Sequence, residues 1–166
     1  MRILAVFLTL LLIFSLPSCK REDFPSCRDI LSAMLENEIG LPAGRVYYLH
    51  SAKGDDSFLS DHLINALYGE GERPVMADGW LDLAIFLSLG DHPCEMAVFL
   101  CDGEDTAKDT ARMLCRRLDV IRTTKSEGEY ARLTENATVT VIGNYALLII
   151  SSDTENAIKS ASKIIG

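Results

Sequence analysis

The chain has no long run of lysine and arginine. Neutralising phosphates requires clustered positive charge, and here 16 Lys and Arg face 24 Asp and Glu for a net charge of −8, which speaks against a nucleic-acid partner. It also lacks a Cys-x-x-Cys pair, and with it the dithiol of a thioredoxin-like activity. Neither Ser88 nor Ser151 sits in the Gly-x-Ser-x-Gly elbow of a hydrolase. The glycines of Gly69-Glu70-Gly71-Glu72-Arg73-Pro74 are not followed by Gly-Lys-Ser/Thr, and the two glutamates would repel phosphate, so no nucleotide cradle is read there. Histidine is scarce. His50, His62 and His92 stand at no metal-ligand spacing from one another or from a neighbouring Asp or Cys, and Asp61 and His62, adjacent on a helix, point in different directions. Asp55-Asp56 lacks the spaced acidic ligands of a calcium loop and reads as a polar turn. No metal and no cofactor is expected. There is no solenoid-length repeat and no low-complexity segment.

What the chain does have begins at its first residues. Met1-Arg2 is a short cationic start, and residues 3–16 are apolar except for Thr9 and Ser15. About 20 apolar residues are needed to cross a bilayer as a helix, so this run suits the core of a secretory signal better than a permanent anchor. It closes on Leu16-Pro17-Ser18-Cys19, which resembles the lipobox of bacterial lipoproteins. In that family the cysteine thiol takes a diacylglyceryl group and the signal peptidase cuts just before it. Leu16 and Ser18 match the large and small positions of the pattern, while Pro17 departs from the commoner small or β-branched residue. Cleavage after Ser18 by an ordinary signal peptidase would want a small residue where Leu16 stands. The expected organisation is a signal peptide over 1–18, lipidated Cys19 with a short charged spacer to 25, and one domain over 26–166. Two or three acyl chains hold a protein durably at a membrane, whereas one does not.

The domain is organised around residues 81–118. Leu81, Leu83, Ile85, Leu87 and Leu89 alternate with Asp82, Ala84, Phe86 and Ser88, which is the period of a strand. Residues 95–101 are apolar on both faces, and Gly90-Asp91-His92-Pro93 between the two runs supplies turn chemistry for an antiparallel return. The period then changes. Ala107, Ala111, Leu114, Leu118 and Ile121 form one helical stripe over 105–121, with acids at its start and arginines towards its end. Before this unit, a helix is expected from Ser26 to about Ile39, with Cys27, Ile30, Leu31, Met34 and Leu35 inward, then a strand over 45–51 and a short helix over 58–68 burying Leu59, Leu63, Ala66 and Leu67. After it, 124–135 reads as polar loop. Residues 138–142 and 145–151 form a hairpin around Gly143-Asn144, with Val139 facing Leu148 and Val141 facing Ala146. A last helix follows a cap at Ser152 or Asp153. The fold class expected is α+β, one mostly antiparallel sheet of about five strands with helices packed mainly on one face.

Few residues point to chemistry. Asp91, His92 and Cys94 are gathered at one turn and are the candidates for an enzyme, although their order does not match a closed tetrahedral metal site. If Cys19 carries lipid, Cys27, Cys94, Cys101 and Cys115 remain, an even number that permits disulfides outside the cytoplasm. Cys101 with Cys115 would join a strand end to the helix above it, subject to the geometry such a bond demands. Asn136-Ala137-Thr138 matches a glycosylation acceptor, which the bacterial-type leader makes incidental.

Further along, a strand ends at Ser88 and Cys94-Glu95-Met96-Ala97-Val98-Phe99 follows. After these come Asp105-Thr106, Arg116-Arg117-Leu118-Asp119 and a Val-rich strand leading into Gly143-Asn144-Tyr145. In this order the chain is similar to the short secreted or lipoprotein domains of Firmicutes grouped as Domain of Unknown Function 4358. The resemblance implies an extracytoplasmic bacterial protein and carries over no catalytic residue. The reading that results is a non-catalytic, lipid-anchored protein on the extracytoplasmic face of the cell membrane. It would bind a protein, a peptide or an envelope component. Small-molecule binding on the mixed face of the sheet is the second reading, and an enzyme at Asp91, His92 and Cys94 the third.

Overall fold

The computed structural model describes residues 24–69, 78–125 and 130–166, and it has the α+β architecture expected. The lipobox and Cys19 lie outside the described residues, as does most of the loop after Gly69. Among these residues, five helices and five strands follow in the order α1 (Cys27–Glu36), β1 (Gly44–Tyr48), α2 (Asp61–Tyr68), β2 (Trp80–Ser88), β3 (Glu95–Cys101), α3 (Glu104–Thr124), α4 (Ala131–Glu135), β4 (Thr138–Ile142), β5 (Tyr145–Ile150) and α5 (Thr154–Ile165). The strands make one antiparallel sheet in the order β1-β2-β3-β5-β4. The apolar run of β3 takes the central place and is buried along its whole length.

Strand periodicity sorts the core into two layers. Leu83, Ile85, Ala97, Phe99, Ala146, Leu148 and Ile150 face α2 and α3, while Ala84, Phe86, Met96, Val98, Tyr145, Leu147 and Ile149 face α1 and α5. Helices therefore cover both faces, which corrects the expectation that they gather mainly on one. The reason lies in β3 and β5. A strand apolar on both faces leaves a greasy face exposed unless both sides are covered, and burying one large side chain stabilises by about 1.5–3 kcal/mol.

Local chemistry sets the ends of the elements. Ser26 caps α1 by accepting from the Asp29 N–H at 3.1 Å, and Asp82, at a bulge in β2, accepts from the Cys27 N–H at 2.8 Å. This carboxylate satisfies a helix-end donor from another element. α1 stops at Glu36, short of Ile39, with Asn37 as its last half-helical residue. Tyr145 Oη donates to Pro25 O at 2.6 Å, so the chain is packed against the sheet before α1 begins. The other end of α1 is clasped to the start of α5. Glu38 Oε1 accepts from Ser152 N and Oγ at 2.8 and 2.6 Å, and Asn156 Nδ2 donates to Asn37 O at 3.1 Å.

The second hairpin has the expected register, Val139 opposite Leu148 and Val141 opposite Ala146, closed by Gly143 at φ 55°. Gly44 is needed for another reason: a Cβ there would lie 2.2 Å from the Phe86 ring. β1 is shorter than expected and ends at Tyr48. α2 begins at Asp61, capped by Ser60, and buries Ile64 and Tyr68 with Leu63 and Leu67 only half-buried and Ala66 exposed. Its stripe is displaced by one residue from the expected one because Tyr68 enters the core through its ring. The stretch expected to be loop after α3 contains the short helix α4. Its Thr134 carbonyl and the Ala137 carbonyl are both held by Arg122, at 3.0 Å each. Trp80 is a packing residue: its ring meets Phe99 edge-on with centroids 4.8 Å apart, and Nε1 donates to Thr110 Oγ1 at 2.9 Å.

Candidate ligand-binding cleft

One residue breaks the apolar pattern of β3. Glu95 is 2% exposed, opposite Leu87 and Ile150, and points to the α3 side of the sheet. A carboxylate taken out of water survives only if it is paired and hydrogen-bonded. Arg117, on α3, supplies the pairing. Its Nε and Nη2 both donate to Glu95 Oε2, at 3.1 and 2.7 Å. Tyr68, at the end of α2, donates its hydroxyl to Glu95 Oε1 at 3.1 Å. Three elements are thus tied at one carboxylate. Burial works against the Arg117 charge, but the attraction of Glu95 outweighs it and raises the guanidinium pKa, so Arg117 stays charged at every accessible pH. Burial, then the Glu95 charge, push the Tyr68 hydroxyl well above its ordinary value, so it acts as a donor and not as a base.

Glu95 and Arg117 line a cleft of about 390 Å³ between the C-terminal turns of α3 and the β2–β3 turn. The size lies within the range of small-ligand sites, about 300–1,000 Å³. Leu67, Leu87 and Val120 give the cleft an apolar wall, and His92, Arg117 and Lys125 give it polar groups. The guanidinium is partly open to it, its side chain 21% exposed while that of Glu95 is sealed. Lys125 approaches Asp91 at 3.9 Å, a contact at the solvent edge that contributes little. Ser88 Oγ donates to the carbonyl oxygens of His92 and Cys94, which fixes the turn. His92 Nδ1 accepts from the Cys94 N–H at 3.1 Å, leaving Nε2 to carry the ring proton, and its ring meets Tyr130 edge-on at 4.9 Å.

The side chains of Asp91, His92 and Cys94 do not converge at one point. The Cys94 side chain crosses to the α1–α5 side of the sheet, where it packs with Met96 and Ile30, while Asp91 and His92 stay at the cleft. Burial, with the negative charges of Glu38 and Glu95, pushes the Cys94 thiol up to about 12, so it holds its proton at neutral pH. Strand parity separates these residues: Glu95 faces the cleft, so its neighbour Cys94 faces away. The Cys101–Cys115 disulfide is not formed either. Cys101 is buried beneath α3 with its Sγ 3.5 Å from Thr110 Oγ1, and Cys115 is an exposed free thiol on the outer side of the helix. Thr110, Leu114 and Leu118 take the inward positions of α3, and Cys115, one residue beyond Leu114, turns outward.

The three histidines lie apart. His50 Nε2 meets Leu81 O at 2.9 Å, His62 is exposed on α2, and His92 lies at the cleft. Among the described residues no group of three or more His, Cys, Asp or Glu side chains is arranged to hold a metal ion. None of the described helices is long and apolar enough to cross a membrane. Compared with models of known protein families, with curated proteins and with solved structures, the chain matches none of them.

The burial pattern makes a measurable statement about the thiols. At pH 8 a colourless disulfide reagent should react quickly with Cys115 and reach Cys27, Cys94 and Cys101 only after unfolding. The same burial gives a pH dependence. Cys94 has a folded-state pKa raised from 9.0 to about 12, so its contribution to stability is complete below pH 9 and declines as pH rises towards 12. The slope for one such group is about 1.4 kcal/mol per pH unit. Tyr68, raised above its ordinary 10.0, adds to the loss above pH 10. Denaturant midpoints at pH 7, 9 and 11 should therefore fall only over the last interval. A midpoint unchanged at pH 11 would contradict it.

Proposed function

We propose that this chain is a lipid-anchored, non-catalytic binding protein on the extracytoplasmic face of a bacterial membrane. Its domain would engage a protein, a peptide or an envelope component through the cleft at Arg117. The location rests on the leader and on Leu16-Pro17-Ser18-Cys19. The binding role rests on one observation: a guanidinium locked in place by a sealed carboxylate and opened on one side to a half-apolar cleft. An arginine held rigidly has lost little further freedom when it binds, so its remaining donors suit a carboxylate or another planar oxygen group. The apolar wall from Leu67, Leu87 and Val120 would take the adjoining aliphatic part of the same ligand. Tyr68, pushed well above its ordinary pKa by burial, serves as a hydrogen-bond donor to Glu95, and this favours recognition over turnover.

Capture from detergent-solubilised envelope, with the full chain as bait, tests this. Val120, 57% exposed on the cleft rim, can be changed without touching the core. A partner should be retained saturably by the native chain and at least tenfold less by Val120→Arg, which blocks the apolar wall. Equal retention by both chains would contradict a role for the cleft.

A further inference from the structure

The two edges of the sheet are finished differently. On β1, the Tyr48 N–H points outward and donates to Ser57 O at 2.9 Å, Phe58 forms a bridge there, and Arg45 places a charge within the strand. Such devices blunt an edge. On β4 they are missing. Its sequence, Thr138-Val139-Thr140-Val141-Ile142, is β-branched throughout, with no charge and no proline. The two-residue turn makes Ile142 and Tyr145 a hydrogen-bonded pair, so Ile142, Thr140 and Thr138 direct their main-chain groups at β5. Those of Val139 and Val141 therefore point away from the sheet, where nothing among the described residues is bonded to them. The strand is held firmly at its entry, since Arg122 binds Ala137 O.

We infer that β4 is an interface on which a second copy of this chain pairs antiparallel, about a two-fold axis through Thr140, to continue the sheet across both molecules. The strand is complementary to itself in this register. Rotation about Thr140 places Val139 opposite Val141 of the other copy and Val141 opposite its Val139. These are the residues whose outward N–H and C=O groups lack partners, so four main-chain hydrogen bonds form at once. The same rotation keeps each face on its own side. Val139 and Val141 of both copies meet on the α3 side, beside a groove of about 210 Å³ lined in part by Leu118 and Ala137, and the threonines meet on the other. Thr140 pairs with itself in a non-hydrogen-bonded position, where Cα atoms lie about 4.5 Å apart, a separation a disulfide spans.

That geometry supplies the test. In the full chain, in native membranes and with the exposed thiol removed by Cys115→Ser, Thr140→Cys should crosslink under mild oxidation to a dimer holding most of the protein. Val46→Cys, central in the guarded edge β1, should stay monomeric. Adding Val141→Pro, which removes one outward N–H and no bond to β5, should reduce the Thr140→Cys dimer at least tenfold while the near-ultraviolet circular dichroism is kept. A monomeric Thr140→Cys chain would overturn the inference. So would a crosslink to a different protein, equal dimer from Val46→Cys, or a crosslink indifferent to Val141→Pro.

Discussion

Replacing Arg117 by alanine is expected to destabilise the full chain by about 3–5 kcal/mol, because the substitution strands a buried carboxylate. Glu95 lies inside a strand with Leu87 and Ile150 beside it, and among the described residues its Oε2 accepts only from Arg117. Without that partner the carboxylate must either take up a proton or be exposed by a shift of β3, and both cost stability. Against a total stability of about 5–15 kcal/mol this is a large fraction, readable as a lowered urea midpoint. Two controls isolate the cause. Arg112→Ala removes an exposed ion pair with Asp109 on the same helix and should change stability by less than about 0.5 kcal/mol. Adding Glu95→Leu to Arg117→Ala should recover a large part of the loss, since two apolar groups in place of a buried pair remove the stranded charge. An Arg117→Ala chain as stable as the native one would mean that Glu95 is not sealed.

Phe99→Ala is expected to cost about 3–5 kcal/mol as well, by a different route. Phe99 is fully buried in the central strand and meets two aromatic edges, Trp80 at 4.8 Å and Tyr68 at 5.4 Å. Removing the ring opens a cavity and takes away the surface that orients Tyr68 towards Glu95. The effect should therefore be non-additive with Tyr68→Phe, which alone leaves Glu95 Oε1 without its donor and costs about 1–3 kcal/mol. If the double variant loses the plain sum of the two single losses, Phe99 does not support the site. Unfolding of the single and double variants in urea measures this directly.

Much of the sheet could be read in advance because strand period and turn chemistry act over a few residues. The run from Glu95 to Cys101 and the register around Gly143 needed only alternation and a glycine able to take φ 55°. The two-sided helix cover was also written there, in β3 and β5, where apolar residues fill both faces. The phase of α2 is hard to read because eight residues hold barely two turns of pattern, and Tyr68 counts as polar or apolar according to which atoms are buried. The cleft was hidden for another reason. Glu95, Arg117 and Tyr68 are separated by 22 and 27 residues, and no local spacing joins them. The signal that existed was a single charge within an otherwise apolar strand, a residue that must find a buried partner elsewhere in the chain. Asp91, His92 and Cys94 are close in sequence, but they lie in the turn before β3, where the chain leaves Asp91 and His92 at the cleft and carries the Cys94 side chain into the core on the α1–α5 side.

The proposed role depends on the chain being tethered outside the cell, and the intact mass of the protein extracted from membranes tests this most directly. The account predicts a chain beginning at Cys19 and heavier than its residues by a diacylglyceryl group. An unmodified Cys19 with residues 1–18 still attached would contradict it.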